Sequence, residues 1–148
     1  MPERETLARA AEDKAEGKSP STQAGEFVRE EIEHIREGKH GARSAKQAIA
    51  IGLSKARRAG VKLPAPRKGE ASKETREQAK RDVKKGSKAS KKKTSAKRSR
   101  ATLNALKREG HSAASKTALS RHAHKAAARR SAAARSRSAK KAAATRKK

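Results

Sequence analysis

The sequence predicts an all-α protein of two unlike parts: a small αα-hairpin followed by a largely disordered or partly helical basic tail. Two observations carry this prediction. The first is where bulky apolar side chains lie. Of the 47 hydrophobic residues, 32 are alanine, and there is one Phe and no Trp or Tyr. Nine of the 15 larger ones fall within residues 27–63: Phe27, Val28, Ile32, Ile35, Ile49, Ile51, Leu53, Val61 and Leu63. The second is charge, which is divided the other way. Residues 1–66 hold 13 basic and 10 acidic groups, whereas residues 67–148 hold 29 basic and 5 acidic groups. A nearly neutral module is thus joined to a polycation, within a chain of formal charge +27.

Residues 1–18 have no apolar run and are expected to be a disordered N-terminus. The hairpin is expected over residues 19–66. Ser19 followed by Pro20 reads as an N-cap and a proline at the first helical position. Ala24, Phe27, Val28, Ile32 and Ile35 then recur at helical spacing and form one stripe. Arg29, Glu30, Glu33 and Glu37 lie opposite and suit solvent. Gly38 is the expected stop. After a short loop, Ser44 with Gln47 fits a capping box. Ala45, Ile49, Gly52, Leu53 and Ala56 share one face of the second helix, and Gly52 would let the two axes come close. Gly60 ends this helix, with Val61 placed for a Schellman cap. Leu63, Pro64, Ala65 and Pro66 follow and cannot continue it. Phe27, Val28, Ile32, Ile35, Ile49 and Leu53 are therefore the predicted packing residues. Ile51 falls away from Ile49, so a second apolar contact is expected, either with Leu103 and Leu106 or with another copy of the chain.

From Arg67 the composition changes. Residues 67–100 read as a basic linker, with a short polar helix over 72–85 stopped by Gly86 and disorder over 87–100, where a Lys/Ser/Ala run has almost nothing to bury. Residues 101–148 form an Ala/Lys/Arg-rich tail. Leu103 and Leu106 suggest a helix before Gly110. Beyond it, Ala and Arg favour helix, while clustered like charge opposes it. Partial helix is the expectation.

Several classes of chemistry find no support. With no cysteine, disulfides, thiol catalysis and Cys-based zinc sites are excluded. The five histidines (His34, His40, His111, His122 and His124) read as ordinary surface residues, and His122 and His124, two apart, point to different sides of a helix. No metal site, cofactor or catalytic residue is expected. Neither phosphate-binding glycine loop motif is present. Residues 1–20 are charged and unlike a secretory leader, and no segment is long and apolar enough for a bilayer. The expected place is the cytoplasm, on the nucleoid, with no membrane partner.

A chain this basic is drawn to polyanions, and nucleic acids have the matching charge density. The cations expected to meet phosphates are Lys91, Lys92, Lys93, Lys97, Arg98, Arg100, Lys125, Arg129, Arg130, Arg135, Arg137, Lys140, Lys141, Arg146, Lys147 and Lys148, joined by Lys46, Arg57 and Arg58 of the second helix. The second helix could lie against phosphates through these three together with Lys55. In a eukaryotic protein, Lys91-Lys92-Lys93 with Lys97-Arg98 would also read as a nuclear address. Base-stacking aromatics are absent, so little sequence readout is expected. DNA is favoured over RNA.

The segment Gly38-Lys39-His40-Gly41, continued by Lys46-Gln47-Ala48-Ile49-Ala50-Ile51-Gly52-Leu53-Ser54-Lys55-Ala56-Arg57-Arg58, resembles a family of small basic bacterial proteins defined by a domain of unknown function. The resemblance covers about residues 19–66. It implies a bacterial source and no particular activity. The tail, with runs such as Lys140-Lys141-Ala142-Ala143-Ala144, is similar in composition to linker-histone tails. The resulting expectation is a histone-like, nucleoid-associated protein that neutralises phosphates and bridges duplexes, with a homodimer formed through the hairpin as one route to bridging. The alternative is an adaptor whose hairpin binds a protein and whose tail tethers it to RNA, ribosome or chromosome.

Overall fold

The computed structural model describes residues 2–87 and 95–146. Over these residues the chain is all α. The helices are α1 (Arg4–Ala15), α2 (Pro20–Arg36), α3 (Ala45–Ala59), α4 (Lys73–Gly86), α5 (Ala96–Lys107), α6 (Lys116–Ala128) and α7 (Ala132–Arg146), with a short 3-10 turn at Ser112–Ala114. No strand occurs among the described residues, and no helix there is long and apolar enough to cross a membrane.

The centre of the fold is the α2–α3 pair. Ser19 Oγ accepts from the Thr22 N–H, and Pro20 fills the first position of α2. Beyond Arg36 the chain leaves the helix at Gly38, whose φ is +75°. Ser44 Oγ accepts from the Gln47 N–H. The reciprocal bond differs from the expected box: Gln47 Oε1 accepts from the Arg43 N–H, one residue earlier. At the far end Gly60 sits at φ +104°, and the Val61 N–H reaches Ala56 O, closing the expected Schellman cap. Phe27 and Ile35 are buried, while Val28, Ile32, Ile49 and Leu53 are half-buried. Gly52 is where the helices touch. A Cβ there would stand 2.6 Å from Val28 Cα and 2.9 Å from Val28 N.

Two further helices cover this pair, and one replaces expected disorder. Residues 4–15 are helical because α1 has α2 to lie on. Ala10 joins Ala24, Phe27 and Ala56 in one apolar cluster, with Leu53, Ala59, Val61 and Leu63 around it. Arg9 Nε donates to Glu26 Oε2 at 2.6 Å, and the Glu3 N–H donates to Glu30 Oε2 at 3.1 Å. On the other side α4 lies against α3. It is capped by Ser72, whose Oγ accepts from the Thr75 N–H. Buried Asp82 accepts from Ser54 Oγ at 2.7 Å and from Gln78 Nε2 at 3.1 Å. Thus the second cover on α3 is a polar helix. Leu103, one of the residues expected there, is 42% exposed.

The expectation of a disordered tail is also corrected, since residues 96–107, 116–128 and 132–146 are helical. Alanine has the lowest helix cost, and Lys and Arg follow closely. Like-charge pairs cost only about 0.2–0.5 kcal/mol each, too little to cancel that preference. Serines begin the last two helices: Ser115 Oγ accepts from the Ala118 N–H and Ser131 Oγ from the Ala134 N–H. The expected disorder over 87–100 is overturned for residues 96–100 by α5, and its stretch 88–94 lies outside the described residues.

The tail is also docked over residues 106–114, between α5 and α6. Ala113 and Ala114 are buried with Ile35, Ala42 and Ala48. The Gly41 N–H donates to Leu106 O at 2.9 Å and the Ala42 N–H to Gly110 O at 3.0 Å. Arg36 Nε donates to Ala114 O at 3.0 Å. Small side chains and backbone bonds do here what bulky residues would do in a larger core.

Candidate nucleic-acid interface

Each described tail cation expected to meet phosphate is exposed. Lys97, Arg98 and Arg100 lie on α5, Lys125 on α6, Arg129 and Arg130 between α6 and α7, and Arg135, Arg137, Lys140, Lys141 and Arg146 on α7. Among the described residues, no Lys or Arg of these three helices forms an ion pair. Lys91, Lys92, Lys93, Lys147 and Lys148 lie outside the described residues.

The hairpin cations divide. Lys46 and Arg58 are exposed. Arg57, expected beside them, is buried. Its Nε donates to Leu63 O at 3.3 Å and its NH2 group to Pro64 O at 3.1 Å. Burial pushes the guanidinium below its ordinary pKa, with the Asp82 charge opposing that shift. Arg57 therefore fastens the chain after α3 and offers nothing to a phosphate. Lys55 is likewise turned inward. Its Nζ lies 2.5 Å from Glu31 Oε2 and 3.6 Å from Glu30 Oε1.

The fold also makes a groove. Arg43, just before α3, and Lys46, in its first turn, line an open cleft of about 570 Å³ together with Arg121 and Lys125 of α6 and Arg129 at its end. The α6 cations follow at intervals of four, which puts them on one helix face. Glu70 is the one carboxylate on the lining, and Arg43 also lies 3.5 Å from Glu109 Oε1. The amino end of α3 opens into the groove, adding unpaired N–H groups and the positive end of the helix dipole. Such a lining suits phosphate oxygens. Arg43 and Arg121 were not among the sequence-predicted residues. The four-residue spacing of Arg121, Lys125 and Arg129 was a readable signal; the facing of Arg43 across the groove was not.

A second feature was also missed. Glu30 was placed by helical periodicity on the solvent face, yet it is 2% exposed, and Glu31 beside it is 1% exposed. His40, read as a surface histidine, is buried, and His34 is half-buried. His40 Nε2 lies 3.0 Å from Glu31 Oε1, and His40 Nδ1 lies 3.1 Å from Gly41 O. His34 Nε2 lies 2.9 Å from Glu3 Oε1, which also takes a 3.2 Å bond from Lys39 Nζ. The two rings meet edge to face, with centroids 6.2 Å apart. One ligand atom from each of Glu31, His34 and His40 lies within 4.8 Å of the others. Lys55 gives Glu31 Oε2 its counter-charge, although neither that oxygen nor Glu30 Oε1 has a hydrogen bond of good geometry. Among the described residues, these are the ones grouped closely enough to hold a metal ion.

No curated protein and no solved structure matches the chain. Residues 13–68 match the model of a family of unknown function, DUF6496, a span that takes in the end of α1 and the whole α2–α3 hairpin and leaves out α4 to α7.

Proposed function

We propose that this protein binds nucleic acid, duplex DNA before RNA, through its phosphates and with little sequence preference, as a histone-like, nucleoid-associated protein. The single observation that carries this reading is the one-sided charge of the second half. Residues 87–148 hold 21 basic groups against one carboxylate, Glu109. The described members of that set stand exposed on helices rather than paired internally. Each phosphate they neutralise would release counterions and favour binding at low salt.

The groove is the part of this surface where cations from two elements converge. Arg121, Lys125 and Arg129 could follow one phosphate strand while Arg43 and Lys46 meet it from the other side. The adaptor alternative gains less support. The apolar stripe it would offer to a protein partner is covered by α1 and by the turn holding Ala113 and Ala114. Bridging of two duplexes would come from opposite sides of the helical tail, without requiring a homodimer through the hairpin.

The test is the salt dependence of binding to a random duplex, for the parent and for the Arg121→Gln, Lys125→Gln, Arg129→Gln triple variant. A cut before α5 is unsuitable because it would remove Ala113 and Ala114 from the core. Losing three phosphate contacts should flatten the log–log salt slope by about 2.7, at about 0.9 per contact on B-DNA. A slope unchanged in the triple variant would remove the groove from the interface. Parent protein that fails to bind duplex at low salt would overturn the function. Competition with structured RNA decides the order of preference.

A further inference from the structure

We infer that Glu31, His34 and His40 form a binding site for a divalent metal ion of the zinc class. The argument begins with α2. Glu31 and His34 are three residues apart, so both project from one helix face. That Glu-x-x-His spacing is one that helices use to present a metal pair. The chain then turns at Gly38 and brings His40 back over the same face. The three ligand atoms lie within 4.8 Å of one another. Tetrahedral zinc with ligand bonds of about 2.1 Å needs them about 3.4 Å apart, a rotamer-scale closing of the present arrangement. Glu3 Oε1, 2.9 Å from His34 Nε2, lies beside this trio and holds the His34 ring, and the fourth position is left to solvent.

Hydrogen bonding makes the case for a cation there. Gly41 O only accepts, so the His40 Nδ1 beside it carries the proton. In the neutral ring, Nε2 then holds a lone pair and faces Glu31 Oε1, another acceptor, at 3.0 Å. Two acceptors in a buried place repel unless something positive lies between or beside them. Charge gives the same answer. Glu3, Glu30, Glu31 and Glu37 bring four negative charges, while Lys39, shared by Glu3 and Glu37, and Lys55 bring two positive ones. A metal supplies the missing positive charge and accepts both lone pairs. Lys55 stays on Glu31 Oε2 and leaves Oε1 for the ion. The Gly41 carbonyl would orient His40 as the outer partner of a metal-bound imidazole usually does. The ion would tie α2 to the loop that carries Arg43 toward the groove.

The test uses the full chain, stripped with chelator and titrated with Zn²⁺ alone by calorimetry, with Co²⁺ as a spectroscopic stand-in. One equivalent should bind, Co²⁺ should show the intense visible bands of a four-coordinate site, and the melting temperature should rise with added metal. His34→Gln, at the half-buried edge, should keep its helicity and lose affinity by roughly 100-fold or more, beyond what loss of an outer partner costs. A His122→Gln, His124→Gln double variant should bind as the parent does. The proposal is overturned if no saturable equivalent binds, or if binding survives His34→Gln and is lost in the double variant. It is also overturned if imidazole ¹⁵N spectra show His40 doubly protonated and unmoved by zinc, since a proton then supplies the missing charge.

Discussion

Replacing Gly52 with alanine should force the α2–α3 pair apart. The atoms that a Cβ at position 52 would meet are all backbone: Val28 Cα at 2.6 Å, Val28 N at 2.9 Å and Phe27 O at 3.0 Å. None of them can rotate away. Carbon atoms rest about 3.5–4.0 Å apart, so the axes must separate by about 1 Å. A gap of that size forfeits about a quarter to a half of each dispersion contact it opens. The contacts at risk are those that bury Phe27 and Ala56 beside Leu53. Overpacking usually costs about 1–3 kcal/mol, and rigid obstacles place this case near 3. Alanine returns about 1 kcal/mol through helix propensity. The net loss should be about 2 kcal/mol. Gly25 provides the control, because it lies on the exposed side of α2 with nothing within 4 Å of a new Cβ. Gly25→Ala should gain about 1 kcal/mol from the same propensity. Urea unfolding followed by circular dichroism reads both. With a slope of about 2 kcal/mol/M, the midpoint should fall by about 1 M for Gly52→Ala and rise by about 0.5 M for Gly25→Ala. If the two variants shift together, the close approach of the helices is not what position 52 controls.

Other perturbations separate the interior from the surface. Lys55→Met leaves Glu30 and Glu31 buried without their ammonium and should cost about 3 kcal/mol, the low end for a broken buried pair because Lys55 keeps some solvent; a thermal melt reads it, and an unchanged melt would mean the carboxylates are not ionised in the fold. Ala114→Leu overfills a fully buried position and should loosen the docking of the turn before α6; hydrogen exchange at the Ala42 and Gly41 amides should speed up, while slow exchange retained at both would refute the docking. The Glu74 carboxyl should titrate below the ordinary carboxylate range, held there first by its own backbone N–H at the start of α4 and next by the Ser72 hydroxyl. A depressed folded-state pKa gives stability that is present above the unfolded pKa and lost as pH falls through the lower, folded one; α4 should therefore fray in acid, less so in Glu74→Gln, as followed by carboxyl and amide NMR.

What residues alone determined here was mostly local. Caps and stops are decided by a few neighbouring atoms, so Ser19 with Pro20, Ser44, Ser72 and Gly60 could be placed from the sequence, and helical spacing alone marked Phe27 and Ile35 as core. Charge sums need no structure either, and they separated the two halves of the chain. Tertiary structure decided which polar residues are hidden. Glu30 sits on the face of α2 that periodicity gives to solvent, yet the arrival of α1 and of Lys55 encloses it. Arg57 became interior because the chain after α3 folds back across it. The helical, docked tail was hidden for a related reason: its contacts come from Ala113, Ala114 and backbone carbonyls, which carry no hydrophobic pattern to read. A side chain's burial depends on what packs over it, and that partner lies far away in sequence. Arg43, for example, gains Arg121, Lys125 and Arg129 as groove neighbours only once residues more than half the chain away fold against it.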